Sequence, residues 1–365
     1  MAKKAARKTM KAQVFYEPND MRLEQAPMPE IAADEVLVRV KACGICGSDI
    51  AYYFGMSSLE TPTGKGPLIL GHEYTGEVVE VGDIPKAMKL FKPGDRVVLD
   101  PVQYCNACDV CYRGQSNLCE NKAVLGVSTN GGFAEYSKSK YTGVHPLPDN
   151  VSFEDGALTE PLACATYGIK NLAVEPGNFC VVIGPGAIGS MMVQLAKSSG
   201  AGKVVLIGAA NDDYRLDVGG KLGADVLINA TEKTSPYYVK DVKAKIGELT
   251  DGKMANRVIV PTGAVPAMEL ALQISGRRST IVFFGLPGDK DVLRVPVLAS
   301  IFWDKTIRFS WLAPGTWQTA LGALSSGLVN VAPLVTHAYP LDDLVEALGN
   351  VRDRVGNPLK PVVVP

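Results

Sequence analysis

Histidine is scarce in this chain of 365 residues, three in all, and so is tryptophan, also three. An excess of charge of either sign is missing too: 37 Lys and Arg against 38 Asp and Glu leave a formal net charge of -1. A protein held to nucleic acid by phosphate neutralisation needs a basic face, so no nucleic-acid partner is expected. No apolar run reaches the length of about 20 residues that a membrane-spanning helix needs, so no membrane partner is expected either. The stretch Met1-Ala-Lys-Lys-Ala-Ala-Arg-Lys-Thr-Met10 is basic but has no apolar centre. It does not read as a secretory signal, and a disordered extension before a strand near Lys11 is expected.

Hydrophobic residues make up 47% of the chain, enough for a large core, and the length predicts two domains. There are eight cysteines, four of them clustered. In a long chain without a signal, clustered thiols point to metal rather than to disulfides, and to a reducing cytoplasm.

With so few histidines, each can be weighed singly. His145 precedes a proline-rich turn, and His337 lies in the segment Pro333-Leu-Val-Thr-His337; both are expected to be structural. His72 differs. It sits in Gly71-His72-Glu73, and a second loop, Cys43-Gly44-Ile45-Cys46-Gly47-Ser48-Asp49, precedes it. Cys46, His72 and Glu73 are zinc-binding residue types on two short loops, flanked by glycines that permit tight turns and close approach. Period-two strands are predicted at Ala12–Tyr16, Glu35–Lys41 and Tyr74–Gly82, with another entered through the Pro-Gly turn before Val97. Tyr52, Tyr53 and Phe54 follow the first loop and read equally well as core or as the wall of a substrate pocket.

Cys105-x2-Cys108-x2-Cys111-x7-Cys119 has the spacing of a closed tetrahedral zinc site with a structural role. Gly131-Gly-Phe-Ala-Glu-Tyr136 is predicted to begin a strand. Glu160 then precedes Pro161, which suits the first turn of a helix. A carboxylate there is ordinary, and Glu160 gains interest only if the fold carries it to Cys46 and His72.

From about Val174 the pattern changes. The apolar run ending at Ile183 is followed by Gly184-Pro185-Gly186-Ala187-Ile188-Gly189, a helical segment to Ser199 and a second apolar strand to Ile207. Strand, G-x-G-x-x-G, helix and strand in that order predict a dinucleotide site, with the pyrophosphate at the helix N-terminus. The acid expected at the end of the second strand is replaced by Gly208. Either Asn211, Asp212 or Asp213 reaches the ribose, or Gly208 makes room and Arg215 binds a 2′-phosphate, so NAD and NADP both stay open. Further strands ending before Thr262-Gly263 and Gly285-Leu286 complete a doubly wound parallel sheet, and these four residues are candidate cofactor contacts at its carboxyl edge.

Taken together, GICGSD at 44–49, GHE at 71–73, the four-cysteine lobe, GGFAEY at 131–136, EPL at 160–162, GPGAIG at 184–189 and PLVTH at 333–337 resemble the zinc-dependent medium-chain alcohol and polyol dehydrogenases, most closely the sorbitol dehydrogenase branch. The match runs from about Met10 to Pro365. The resemblance implies an α/β protein: a GroES-like, β-rich catalytic domain from 1–162 and 302–365 with a zinc lobe at about 100–120, enclosing a Rossmann domain at 163–301. It implies a homo-oligomer, dimer or tetramer, and two Zn2+ per chain with NAD or NADP. Cys46 and His72 correspond to catalytic zinc ligands, and Glu73 and Glu160 to the acidic partners, one binding directly and the other directly or through water. Ser48 corresponds to the hydroxyl that meets the reacting alcohol oxygen. Cys43 corresponds to a packed neighbour, and Cys164 to a residue near the nicotinamide.

Two departures bear on the substrate. Ala51 stands where polyol dehydrogenases often carry a proton-relaying histidine, which counts against a threonine dehydrogenase and predicts a proton path through water. Leu312-Ala313 stands where sorbitol dehydrogenases carry Arg-Tyr, so a less polar pocket is expected, shaped by Tyr52, Trp311 and Leu312. The expected activity is NAD(P)-linked interconversion of a secondary alcohol (a polyol, sugar alcohol or cyclitol) and its ketone, with an amino-alcohol or hydroxy-acid dehydrogenase as the alternative. A non-catalytic scaffold would be free to lose Cys46, His72, Glu73 or Glu160. A zinc-ribbon module would leave most of the chain unexplained.

Overall fold

The computed structural model describes residues 8–56 and 66–365. The basic stretch up to Arg7, read above as an extension, lies outside the described residues, whereas Thr9 and Met10 already belong to a strand. The chain divides into two compact units, Met1–Glu160 with Leu334–Pro365, and Pro161–Pro333. The second crossing therefore lies at 333/334 rather than at 301/302. The reason is that Thr306–Phe309 joins the parallel sheet of the second unit as its last strand instead of returning to the first.

In the first unit the strand Glu35–Gly44 is the hub. It pairs antiparallel with Glu73–Val81, with Tyr136–Lys140 and with the late strand Val362–Val364. Its sequence explains this: Val36, Leu37, Val38, Val40, Ala42 and Cys43 are all buried, so the strand is covered nearly throughout. A hairpin of Thr9–Glu17 and Asp20–Pro27 turns at Asn19, one of the residue types that tolerate its φ of 65°. The short ribbon of Val102–Gln103 and Ala123–Val124 closes the base of the four-cysteine lobe.

The strand expected to begin within Gly131–Tyr136 begins only at its last residue, Tyr136. Residues 131–133 instead run beside 69–71, with Gly131 N–H to Ile69 O (2.8 Å), Gly132 N–H to Gly71 O (2.8 Å) and Phe133 N–H to Leu70 O (3.0 Å). The approach is so close that a Cβ on Gly131 would lie 2.1 Å from the Gly71 carbonyl oxygen. Gly131 is thus needed for close packing rather than for turning.

The second unit is one six-stranded parallel sheet in the spatial order Val226–Asn229, Lys203–Gly208, Phe179–Ile183, Ala255–Val260, Ser275–Phe283 and Thr306–Phe309. Val181, Val182, Val205, Leu206, Val258 and Ile259 are fully buried, as expected of strands covered on both faces. The first strand in the chain lies in the middle and the order reverses on its two sides, which makes a switch point at its carboxyl end. Among the described residues no helix is long and apolar enough to cross a membrane.

Gly131→Ala is expected to push on the Gly71 carbonyl and to cost about 1–3 kcal/mol. Denaturant unfolding combined with a metal assay checks this: the variant should lose stability and hold less zinc beside His72, while an equivalent change at Gly177, where an added Cβ meets nothing within 4 Å, tests only its φ of 82°.

Candidate active site

The register of the hub strand builds the site. Gly44 lies opposite Glu73, so the loop leaving one strand and the loop entering the other emerge side by side. A Cβ on Gly44 would stand 2.3 Å from a Glu73 carboxylate oxygen, and Gly71 takes a φ of 87° with Cys43 Sγ against it. Cys46 caps the helix Gly47–Tyr53. Asp49, in that helix's first turn, accepts from the Cys46 N–H at 2.9 Å and from the Gly71 N–H at 3.3 Å, tying the two loops together.

This arrangement brings the donor atoms of Cys46, His72 and Glu73 within 4.8 Å of one another. His72 and Glu73 are buried and Cys46 is half-buried. His72 Nδ1 lies 3.6 Å from Asp49, within ion-pair range but beyond a hydrogen bond. Burial alone would lower the pKa of His72, but the charges of Asp49 and Cys46 outweigh it and raise it. One thiol, one imidazole and one carboxylate, packed together and buried, fit a zinc ion and leave a fourth position for a further ligand. Cys43, by contrast, is buried and is not among the converging donors, with its thiol pKa pushed well up by burial and by Asp49 and Glu73.

Glu160 lies in the first turn of the helix Thr159–Leu172, as read from Pro161, and is buried. It stands outside the trio, yet its charge reaches both Lys360 and Asp100. Asp100 is buried as well, and burial, more than Glu160, pushes its carboxyl up to about 7. Ser48 is half-buried on the helix that Cys46 caps. Tyr52 and Tyr53 prove to belong to the apolar core of the first unit, with Tyr52 edge-on to Phe15. The Tyr52 hydroxyl, however, is buried with no hydrogen-bond partner.

Sequence reasoning missed two residues here. Asp49 was visible inside the GSD motif. Lys360 was not, because nothing local marks it. Its Nζ donates to both Glu73 oxygens, at 2.8 and 2.9 Å, and to the Ile45 carbonyl at 3.3 Å. Burial would lower its pKa, but Glu73 and Cys46 raise it above the usual lysine value.

The four clustered cysteines converge in the lobe. Cys105 Sγ lies 3.4 Å from Cys119 and 4.0 Å from Cys111, and Cys108 lies 3.9 Å from Cys119. Sulfurs around a tetrahedral zinc with bonds of about 2.3 Å stand roughly 3.8 Å apart, whereas a disulfide needs about 2.05 Å. All four are free thiols. Hydrogen bonds from the Ala107 backbone and from Cys119 lower Cys105 to about 6, whereas desolvation and the neighbouring thiols raise Cys111 to about 12, as when close thiols share their protons.

In the second unit the predicted glycine turn stands between the strand Phe179–Ile183 and the helix Ala187–Ser198. Gly184 has a φ of 128°, a Cβ on Gly189 would meet the Gly184 carbonyl at 1.9 Å, and nothing lies within 4 Å of where Gly186 would carry one. That open flank, on the first turn with Ala187 and Ile188, is where a pyrophosphate fits. Gly263 packs on the Leu286 carbonyl and Gly285 on the Thr262 backbone, so the two predicted loops form one cluster at the strand ends. Beyond Gly208, Asp212 accepts from the Ala209 N–H (2.9 Å), Asp213 from Asn229 (3.0 Å), and Glu232 from the Asn211 N–H (2.9 Å). Arg215 is half-buried on the helix Asp213–Lys221. Trp311 and Leu312 lie in this unit too, and Leu312 takes a left-handed φ of 57°.

Comparison with known proteins agrees with this geometry. Residues 32–149 match the alcohol dehydrogenase GroES-like domain, and residues 187–326 match the zinc-binding dehydrogenase domain. The D-arabitol-phosphate dehydrogenase of Enterococcus avium is 33% identical over 98% of this chain and 97% of its own length. The sorbitol dehydrogenase of Bombyx mori is 33% identical over 92% and 94%. A structure from Sinorhizobium meliloti 1021, described as a zinc-binding dehydrogenase bound to NADP, superposes with a TM-score of 0.88 at 27% identity, covering 98% of this chain and 99% of that one. The chain therefore belongs to the zinc-dependent medium-chain dehydrogenases, on the sorbitol dehydrogenase branch, and is a zinc- and NAD(P)-dependent alcohol or polyol dehydrogenase.

Proposed function

We propose that the enzyme interconverts a secondary alcohol of the polyol, sugar-alcohol or cyclitol kind and its ketone. The observation that carries this reading is the buried convergence of Cys46, His72 and Glu73 donors within 4.8 Å. Cys46 and His72, with Glu73 or Glu160, would hold the catalytic zinc, and Cys105, Cys108, Cys111 and Cys119 the structural one. When bound, the catalytic ion polarises the alcohol oxygen and lowers its pKa, and the nicotinamide accepts the hydride.

The chain's own residues supply position and proton handling. Asp49 fixes both loops and orients His72. Ser48 takes the hydroxyl proton at its Oγ and passes it on; Ala51 offers no group to receive it, so water completes the path. Tyr52, read from sequence as a substrate residue, is packed in the core with its hydroxyl buried, so it would bear on the substrate only through the shape of that core. Trp311 and Leu312 are proposed as further substrate residues, supported by the left-handed backbone at Leu312, a conformation that clusters at binding sites. Gly184 to Gly189, Gly208, Thr262, Gly263, Gly285 and Leu286 would hold the dinucleotide, with Arg215 at the adenosine end.

A homo-oligomer is proposed through the second unit's sheet edge. Thr306–Phe309 has one neighbour, and its Phe309 is 77% exposed. Beside it in sequence, Val297, Leu298, Ile301 and Phe302 on one short helix are all more than half exposed. An open strand with an apolar flank offers the same strand of a second copy a place to pair across a two-fold axis. The free thiols fit a reducing compartment, and the cytoplasm is proposed.

Three measurements test these readings. Turnover is expected with at least one member of a panel of secondary alcohols, polyols and cyclitols, offered with NAD and with NADP; none at all, in protein holding two zincs, would overturn the enzymatic assignment of this site. Cys46→Ser should abolish turnover and leave one zinc, whereas Cys108→Ser should cost the other zinc and lower Tm by more than about 5 °C. Phe309→Glu should shift the sedimenting species toward monomer, and an unchanged mass would place the interface elsewhere.

A further inference from the structure

An acid at the end of the second strand of the parallel sheet usually meets the adenosine ribose, and Gly208 stands there instead. The space so freed is not empty. A Cβ built on Gly208 would stand 2.9 Å from Asp212 Cβ, 3.3 Å from Asp212 Oδ2 and 3.1 Å from Pro185 Cγ. Pro185 belongs to the glycine turn, so Gly208 borders the dinucleotide site. The volume of the missing side chain is thus filled by a carboxylate from four residues further on, 7% exposed. Glycine at 208 is what admits it, because a larger residue would collide with Asp212.

The loop is built to hold Asp212 in that place. Asn211 takes a left-handed φ of 62°, which asparagine tolerates, and the chain turns back there. Asp212 Oδ2 then accepts from the Ala209 N–H at 2.9 Å, and the Asp212 N–H donates to the Ala209 carbonyl at 3.2 Å. The Asn211 N–H donates to Glu232 Oε2 at 2.9 Å. Glu232 is fixed in turn by Asn229, whose Oδ1 accepts from the Glu232 N–H at 2.9 Å and whose Nδ2 donates to the Ala209 carbonyl at 2.9 Å.

This arrangement treats the two cofactors differently. A 2′-phosphate needs room and donors. The room is filled, and the backbone N–H groups of Ala209 and Asn211 both point at carboxylates. A phosphate monoester also brings about -1.5 to -2 charges at pH 7, which Asp212 and Glu232 repel. A 2′-hydroxyl is a donor. A carboxylate has about four lone-pair directions and can accept from it and from the Ala209 N–H together.

We propose that Asp212 takes the place of the acid missing at position 208 and, with Glu232 behind it, selects NAD over NADP. The proposal rests on the dinucleotide site of the second unit and on no particular alcohol, so it stands or falls separately from the turnover panel.

The test is binding, measured on the full chain with both zincs by titration calorimetry with NADH and with NADPH and no alcohol or ketone present. NADH should bind at least about tenfold more tightly than NADPH, as one close like-charge contact would impose. Asp212→Asn keeps an acceptor for the Ala209 N–H and removes the charge. It should narrow the preference by about tenfold, chiefly through tighter NADPH binding, which loss of a merely structural cap would not produce. A parent that binds NADPH as tightly as NADH overturns the proposal and leaves the dinucleotide site standing. So does an Asp212→Asn variant with the preference of the parent. Binding of neither nucleotide overturns the dinucleotide site and the proposal with it. Where Asp212→Asn does not fold, competition on the parent decides: 5′-AMP should displace NADH better than adenosine 2′,5′-bisphosphate does, and an equal or reversed order overturns the proposal.

Discussion

The antiparallel pairing of Glu35–Gly44 with Glu73–Val81 is the constraint on which the site depends. Side chains in a strand pair are set by register, and a slip of one residue turns each to the other face. With Gly44 opposite Glu73, the loop bearing Cys46 and the loop bearing His72 leave the sheet at the same edge. Strand burial is what holds that register. The catalytic geometry is thus a by-product of core packing in the first unit, and Asp49 closes the remaining gap by accepting from both loops.

The four-cysteine lobe stands in a different relation to the core. Only a ribbon of two short strands supports it, and its helices are a turn or so long. Cys105, Cys108 and Cys111 are half-exposed. A segment with so little apolar burial cannot offset its own conformational entropy, and a metal held by the four sulfurs would supply what packing does not.

Much of this could be read from the residues. The Cys46, His72 and Glu73 loops, the glycine turn at Gly184 to Gly189 and the cysteine spacing are local signals, and short-range chemistry dictates them. Glu160 could be weighed only with the fold, which leaves it outside the group of Cys46, His72 and Glu73. Lys360 could not be found at all, because its partner stands 287 positions away and only strand pairing joins them. Tyr53 was ambiguous for a related reason: an aromatic beside a polar loop looks the same in sequence whether it faces core or cavity. The allegiance of the strand Thr306–Phe309 to the second unit depends on its neighbour Ser275–Phe283 and not on its own residues.

The late strand Val362–Val364 has a consequence for how the protein is made. It brings Lys360 against Glu73 and its neighbour Pro361 against Ile45, whereas the whole of Pro161–Pro333 is synthesised between. During translation the Cys46 and His72 loops therefore emerge long before Lys360, their countercharge. The first unit can be completed only once its late segment, Leu334–Pro365, has been made, after all of Pro161–Pro333.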